Sequence, residues 1–391
     1  MLNRRILRVK AFQNLYAYEQ CKGSNFTLAK DHIREVFQPD LNSMEVQDKV
    51  LLKKEGEMSV EAFVKNLETD TFKPNGSLNE KINSEAKSAI NEYHKANKKD
   101  RDFLLKNMIS SAEKIPQLYL FAIQLLIAFG DHVLGEAEKK KRRSGDTVIF
   151  SAGESNLANN AIIQGIKNSL DFQNAVSRHH AVISELELEI KEWFRDYIRP
   201  LEAYQEYIKI ESPSLDQDYQ IADTILKKVI FKSEAVLNFF SEKDMNWTEN
   251  KAVVRSLASK VLKNQLENVG DVLPEIAINW EEDKEFFQNI FNLTIENDEN
   301  NRLLIAQKTQ NWDIERIAQT DKIIISMALT EMMLFPSIPV KVTINEYIDI
   351  SKTYSTPKSK QFVNGLLDVL SKDLTEKGLI RKSGRGLLDN K

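Results

Sequence analysis

The sequence predicts an all-α protein, and three observations support this fold class. Glycine and proline number only 13 and 9 in 391 residues, which favours long helices over turn-rich β-structure. Apolar side chains recur at the i, i+3 and i+4 spacing of amphipathic helices. Threonine and proline stand where such helices would begin or end. At this length we expect two or three domains, since a domain commonly takes about 150 residues.

Two clear helices lie near the C-terminus. We expect the first to be capped by Thr320 and ended by Pro336 and Pro339, because proline lacks the backbone N–H that a helix interior needs. Its predicted buried face consists of Ile324, Ile325, Ala328, Leu329 and Met332. A second helix would begin near Lys341 and bury Ile344, Tyr347, Ile348 and Ser351.

A third helix would begin at Thr356-Pro357, a capping hydroxyl followed by a proline suited to the first helical position. Gly365 lies inside this helix at a cost of about 1 kcal/mol relative to alanine, which suggests that a neighbouring helix packs closely there. The predicted buried stripe comprises Phe362, Val363, Leu366, Val369 and Leu370. Three helices with short connections indicate a bundle.

The N-terminal residues, up to about Cys21, predict a helix on which one stripe changes from basic to apolar. We expect this helix to enter the core at Phe12 while its first two turns overhang with free arginines. Residues 1–10 and residues 377–391 each carry a charge of +4, in a chain whose net charge is −4. Basic ends on an acidic body are typical of a local patch that contacts an anion.

The middle of the chain also has helical spacing. Residues 77–102 are polar, so we expect them to be mobile. Residues 107–135 are core-like, and their apolar run 118–129 is shorter than the roughly 20 residues needed to span a bilayer. We therefore expect a buried helix there and no membrane association. The basic run Lys139–Arg143 is interpreted as a solvated loop, and Leu186–Tyr197 as a helix ending near Pro200.

Patterns for catalysis or metal binding are absent from the sequence. The single cysteine, Cys21, excludes an internal disulfide framework and fits a reducing cytoplasm. His179 and His180 would point about 100° apart on a helix and make a poor metal pair. The sequence contains no HExxH, glycine-rich phosphate loop or GxSxG. We expect no secretory signal, enzyme activity, catalytic residue, metal or cofactor.

Two separated stretches resemble the NusB family of transcription antitermination factors. The C-terminal stretch contains Trp312–Ala318, Ile338–Glu346 and Phe362–Asp368, and the N-terminal stretch contains Arg4–Lys10 and Phe12–Tyr18. The resemblance implies a NusB-like helical bundle that is discontinuous in sequence, formed by residues 1–22 and 283–376 and including helices at 283–296 and 301–308. Residues 23–282 would be a large helical insertion of unknown role, and residues 377–391 a basic, flexible tail.

The resemblance also implies a function. The chain would bind RNA, namely the boxA element of ribosomal RNA leader transcripts, together with the ribosomal protein NusE, and would join a cytoplasmic RNA polymerase antitermination complex. Arginine suits this role because it binds phosphate bidentately and stacks on bases, and a helix start such as Thr356-Pro357 attracts phosphate. The expected RNA contacts are Arg4, Arg5, Arg8, Lys10, Lys352, Lys358, Lys360 and Phe362. Tyr16, Glu315 and Asp321 are implied to lie at the partner-binding face.

Simpler alternatives stay open for these residues and for the whole chain. The arginines can belong to an ordinary N-terminus and serve only solubility. The helix start at Thr356-Pro357 can be a capped end in contact with solvent, and Tyr16 can be a buried ring. The chain can be a helical protein–protein scaffold that works through residues 23–282. It can also be a non-catalytic relative of the NusB-like domain of ribosomal RNA cytosine methyltransferases, which carry a further domain with a glycine-rich cofactor loop and a catalytic cysteine.

Overall fold

The computed structural model describes residues 4–42, 44, 46–67, 69, 72–144, 153–275, 279–308 and 317–390. These residues form helices and connecting turns and contain no β-strand, which confirms the all-α fold class. They divide into two compact units. The terminal unit comprises Arg4–Ile109 and Lys284–Lys391, and the central unit comprises Ser110–Asp283.

The terminal unit contains the first helices of the chain and the last. In chain order they are α1 (Arg4–Val36), α2 (Lys49–Asn66), α3 (Glu80–Glu113), α13 (Trp280–Glu296), α14 (Asp298–Lys308), α15 (Gln319–Leu334), α16 (Val340–Tyr354) and α17 (Ser359–Glu376), and the unit boundaries fall within α3 and α13. A 3-10 helix, Gly384–Asn390, follows α17. Helix α1 continues through residue 22 as one element, so no break in helical structure occurs where the resemblance ends.

The helices of the central unit are shorter on average. They are α4 (Ile115–Ser144), α5 (Asn156–Asn159), α6 (Ala161–Asn168), α7 (Leu170–Arg178), α8 (Glu187–Trp193), α9 (Glu202–Tyr207), α10 (Leu215–Ile225), α11 (Glu234–Lys243) and α12 (Trp247–Leu266). The helix predicted over residues 186–197 corresponds to α8 and a π-helical turn, Phe194–Ile198. Phe231, Phe240 and Trp247 stack in the core of this unit.

Helix α4 carries the apolar run of the central unit. By length and composition, one window within Glu80–Lys139 could cross a membrane, but 67% of it is buried inside the protein. This burial agrees with the core helix expected over residues 118–129. The basic run after Glu138 belongs to the C-terminal end of α4, so its interpretation as a loop was wrong.

Of the polar residues 77–102, those from Glu80 onward are helical, contrary to the expected mobility. They form most of α3, and Ile82, Ala86 and Ala89 pack into a core with α1 and α2. Phe37 and Phe63 are buried in the same core. Three small or branched side chains at helical spacing suffice here, because the residues of α1 and α2 and the ring of Phe37 complete the apolar core.

Helices α15 and α16 confirm the buried faces predicted for them, and α15 ends just before Pro336 as expected. The predicted cap at Thr320 was wrong. Helix α15 begins one residue earlier, at Gln319, and the Thr320 hydroxyl instead lies 3.1 Å from the hydroxyl of Ser355. A cap must precede the first turn, and Thr320 is already inside it.

Helix α17 differs more from its prediction. Val363, Leu366 and Leu370 are buried as expected, but Phe362 is half-buried and Val369 is 51% exposed. A Cβ on Gly365 would meet open space, so the inference of a closely packed neighbour there was wrong. The helices expected at 283–296 and 301–308 correspond to α13, whose apolar side chains are largely buried, and α14, whose Leu303 is exposed.

Candidate nucleic-acid interface

Arg8 is a buried structural residue and does not overhang the bundle as expected. Its side chain is 3% exposed and donates two hydrogen bonds of 2.7 Å to the Glu331 carboxylate of α15, which is fully buried. Both carboxylate oxygens accept a second bond, from the Thr343 hydroxyl at 2.8 Å and from the Tyr347 hydroxyl at 3.1 Å. Because each Glu331 oxygen accepts one bond from α1 and one from α16, the N-terminus of α1 is fastened to α15 and α16.

The charge states at this pair follow from its surroundings. Burial alone would lower the pKa of Arg8, but the negative charge and hydrogen bonds of Glu331 outweigh burial and raise it. Burial raises the pKa of Tyr347 well above its ordinary value, and the neighbouring Glu331 charge adds to this effect. Arg8 is therefore a permanent cation and Tyr347 a permanent hydrogen-bond donor to Glu331.

Arg4 and Lys10 are both less exposed than predicted, and Lys10 is the more buried of the two. The Arg4 guanidinium lies 4.9 Å from the ring centroid of Phe286 in α13, a cation–π contact. The ring of Phe286 also contacts Arg8, at 5.1 Å, and Phe335, at 5.5 Å. Lys10 is buried, so the expectation of free cations along the first two turns was wrong for Arg8 and Lys10. The helix enters the core one turn earlier than Phe12, at Leu7 and Arg8.

Arg5 remains at the surface and joins a cluster of charges on α16. Its guanidinium forms a bidentate pair with Glu346, at 2.8 and 3.0 Å, and reaches Asp349 at 2.9 Å. Lys352 bonds the other oxygen of Asp349 at 2.5 Å. The hydrogen bond from Lys352, with the charges of Arg5 and Lys360, lowers the pKa of Asp349. Three of the predicted RNA contacts thus surround one carboxylate.

This cluster opens onto a groove between α16 and α17. The groove has a volume of about 520 Å³ and is lined by Asn345, Ile348, Asp349, Lys352, Lys360, Gln361 and Asn364. Amides and lysines at its rim are donors that suit phosphate and base edges. The predicted contacts included Lys352 but not Glu346 or Asp349. The three-residue spacing of these residues nevertheless places all three on one face of α16.

The start of α17 lies beside the groove but is built differently from its prediction. The helix begins at Ser359, and Thr356 and Pro357 form a preceding turn in which the Thr356 carbonyl accepts from the Ser359 amide at 2.9 Å. The Thr356 hydroxyl lies 2.8 Å from the Ser359 hydroxyl, so its predicted role as the cap was wrong. Lys358 occupies the cap position without a side-chain cap, and both Lys358 and Lys360 are exposed.

The residues expected at the partner-binding face differ in their solvent exposure. Tyr16 of α1 is 39% exposed. Asp321, in the first turn of α15, is buried, and its Oδ1 has no hydrogen-bond partner among the described residues. Glu315 lies outside the described residues. No group of three or more His, Cys, Asp or Glu side chains in the described part of the chain could hold a metal ion.

Comparison with known proteins identifies the family. The sequence model of the NusB family matches residues 247–372, from the start of α12 into α17. The transcription antitermination protein NusB of Chloroherpeton thalassium is 38% identical over 143 residues, which cover 35% of this chain and 68% of that protein. Its counterpart in Bacillus licheniformis is 31% identical over 125 residues, covering 31% of this chain and 97% of that protein.

The chain belongs to the NusB family.

A third NusB relative, from Salinibacter ruber, is 40% identical over 105 residues that cover 27% of this chain and 66% of that protein. No solved structure matches the chain significantly. The family match contains α16, most of α17 and their groove, and it starts earlier than the resemblance noted at residue 283. At 391 residues, this chain is larger than the NusB proteins that it matches.

Proposed function

We propose that this chain is an RNA-binding transcription antitermination factor. It binds the boxA element of ribosomal RNA leader transcripts together with the ribosomal protein NusE, and it acts in the cytoplasm by assembly on RNA polymerase, without catalysis. One observation carries the proposal: Arg5, Lys352 and Lys360 surround Asp349 at the rim of the groove, and the two lysines and Asp349 lie within the family match. The three relatives that align with this chain are transcription antitermination proteins by name.

When RNA binds at this groove, its phosphates replace carboxylates as the partners of the basic side chains. In the free protein the carboxylates of Glu346 and Asp349 hold Arg5 and Lys352 in place. A phosphate of single-stranded RNA offers the same cations another anionic acceptor, and bidentate arginine geometry suits it. Lys358 and Lys360 flank the uncapped start of α17, where helix-terminal N–H groups add positive potential. We expect the half-buried ring of Phe362 to stack on a base.

The buried residues take a supporting part in this proposal. Arg8 contributes no direct phosphate contact while it is paired with Glu331, and it holds the first turns of α1 so that Arg5 faces α16. Arg4, on the ring of Phe286, provides a further cation at the same end of α1. For NusE, we propose the region of Tyr16 and the N-terminal end of α15 near Asp321, together with Glu315.

The test is fluorescence anisotropy of a boxA RNA and of a scrambled control, with and without NusE, across a salt series. We expect tighter binding to boxA, strengthened by NusE, with a slope of log Kobs against log salt of roughly 0.7 per neutralised phosphate. Lys352→Ala/Lys360→Ala should weaken boxA binding and reduce that slope by roughly 1.4, since two contacts are lost. The matched control is Lys65→Ala/Lys87→Ala, which removes two exposed lysines of α2 and α3 that do not line the groove.

Equal and weak binding of both RNAs under every condition would contradict the proposal. It would favour the alternative of a helical scaffold, since each of the three aligned relatives covers at most 35% of the chain. A boxA preference that survives the groove variant unchanged would retain the function and remove the groove as its site.

A further inference from the structure

The residues after α17 are docked on the terminal unit. Ile380 is buried, the Ser383 amide donates to the Pro336 carbonyl at 3.0 Å, and Gly386 is buried against the same carbonyl. Lys382 Nζ donates to the Phe335 carbonyl at 2.9 Å and to the Glu331 carbonyl at 3.4 Å. An ammonium group on the last carbonyls of α15 is favoured by the helix dipole. We call residues 380–388 the docked tail.

Gly386 sets the position of the docked tail. A Cβ at this residue would lie 2.0 Å from the Pro336 carbonyl oxygen, a distance that no side chain can occupy. The neighbour is backbone at the end of α15, which cannot move aside as a flexible side chain would. Substitution of Gly386 by alanine should therefore displace the tail without changing its charge.

The docked tail reaches the N-terminus of α1 through an aromatic pair. Phe335, whose carbonyl binds Lys382, has its ring 5.5 Å from that of Phe286. The Arg4 guanidinium lies on Phe286 at 4.9 Å. The aromatic pair therefore links the tail to the first turn of α1, with Lys382 on one side of the pair and Arg4 on the other.

Two cations of the docked tail point to a ligand beyond the protein. Arg381 and Arg385 are both exposed. The Arg381 guanidinium donates to the Gly378 carbonyl at 3.1 Å, and neither arginine forms an ion pair with a described carboxylate. Residues 377–391 carry five cations and one acid. An arginine pair held on an ordered backbone loses less conformational entropy on binding an anion than a flexible tail would.

We propose that Arg381 and Arg385 form a second phosphate-contact site, which prolongs the RNA path from the first turn of α1 along the docked tail. Its ligand is the backbone of single-stranded RNA that flanks the segment held in the groove. This inference rests on the proposed RNA-binding function. The site lies beyond residue 372, where the family match ends. Lys382 has a different part, because its ammonium group anchors the tail.

The experiment compares two RNAs: boxA alone, and boxA with flanking nucleotides added on either side. The wild-type chain should bind the extended RNA more tightly, with a salt slope larger by roughly 1.4, which corresponds to two additional phosphates. A fourfold rise in salt should then cost the extended complex roughly sevenfold more affinity than the short complex. Flanks of scrambled sequence should serve equally well, because phosphate contacts do not read bases.

Two variants separate the charge of the tail from its position. Arg381→Ala/Arg385→Ala should bind boxA alone like the wild type and lose the advantage of the extended RNA. Gly386→Ala keeps both arginines but displaces them, and it should reduce the same advantage. Lys65→Ala/Lys87→Ala is the control for a loss of two exposed charges elsewhere in the terminal unit.

The binding measurements distinguish the absence of the second site from the absence of RNA binding as a whole. If the wild-type chain prefers boxA over its scrambled control but Arg381→Ala/Arg385→Ala keeps the full advantage of the extended RNA, the second site is refuted and RNA binding stands. If the wild-type chain binds extended and short RNA equally, the second site is likewise refuted. If it binds no RNA at all, both proposals are overturned.

Discussion

Removal of the Glu331 carboxylate should destabilise the terminal unit more than any single surface substitution. Glu331→Ala leaves the Arg8 guanidinium buried without a counter-charge, which typically costs about 3–5 kcal/mol. The hydroxyls of Thr343 and Tyr347 lose their acceptor as well, at about 1–3 kcal/mol for an unsatisfied buried group. These losses overlap, so we expect about 4–6 kcal/mol in total. A domain is commonly stable by only about 5–15 kcal/mol, so this variant should be close to unfolding.

Amide hydrogen exchange measured by mass spectrometry is the suitable assay, because a chain of two units need not unfold in one step. Peptides from α15 and α16 report the opening free energy around Glu331. Glu331→Gln is the milder variant, since its amide oxygen still accepts from a hydroxyl while the charge is lost. In Arg8→Met/Glu331→Gln the uncompensated charge is gone, and much of the stability should return.

Glu61→Gln is the matched control, because Glu61 is exposed on α2 and the substitution removes the same charge. It should leave exchange in α15 and α16 unchanged. Equal protection of these peptides in Glu331→Ala and in the wild type would refute the reasoning. So would a double variant that is less stable than Glu331→Gln alone, since the uncompensated Arg8 charge would then not be the main cost.

Three further substitutions test other parts of the structure. Asp349→Asn removes the carboxylate that competes with phosphate for Arg5 and Lys352, so boxA affinity should rise in anisotropy measurements. The control Glu61→Gln should leave the affinity unchanged. A fall in boxA affinity in Asp349→Asn would contradict the replacement of carboxylate by phosphate. Burial lowers the pKa of His132 and of His179, so the unfolded chain binds more protons below its ordinary histidine pKa of about 6.5, and the central unit should lose stability from pH 7 to pH 5. That loss should shrink in His132→Gln, and an undiminished pH dependence in urea unfolding would assign it to other groups. Gly365→Ala should stabilise α17 by up to about 1 kcal/mol, because the added Cβ meets open space, and a lower Tm would show a contact that the structure lacks.

The corrections at the N-terminus show what a stripe of residues can and cannot predict. The helical spacing correctly placed Arg4, Arg5 and Arg8 together on α1. It could not distinguish a solvated arginine from one that meets a buried glutamate 323 positions away in the chain. Glu331 lies on a helix that is buried on nearly every side, and its own neighbours in sequence give no sign of the pairing. Such ion pairs depend on which helix faces meet.

Helix ends were predicted less well than helix faces for a related reason. Thr320 and Thr356 have the side chains of capping residues, yet each hydroxyl bonds another hydroxyl near the junction of α16 and α17, Ser355 and Ser359 respectively. A hydroxyl can satisfy itself with the local backbone or with a neighbour that only the fold brings close. Gly365 is the opposite case, because the glycine that suggested a close neighbour faces solvent.

The all-α class, the buried faces of α15 and α16, and the family could be inferred from the sequence alone, because they depend on spacing along one chain and on motifs in a fixed order. The packing of the helices determines which cations are available to a ligand. It buries Arg8 and Lys10, gathers Arg5, Lys352 and Lys360 around Asp349, and seats Lys382 on the end of α15. Charge is a property of a residue, but its exposure and its partner are set by the helices packed around it.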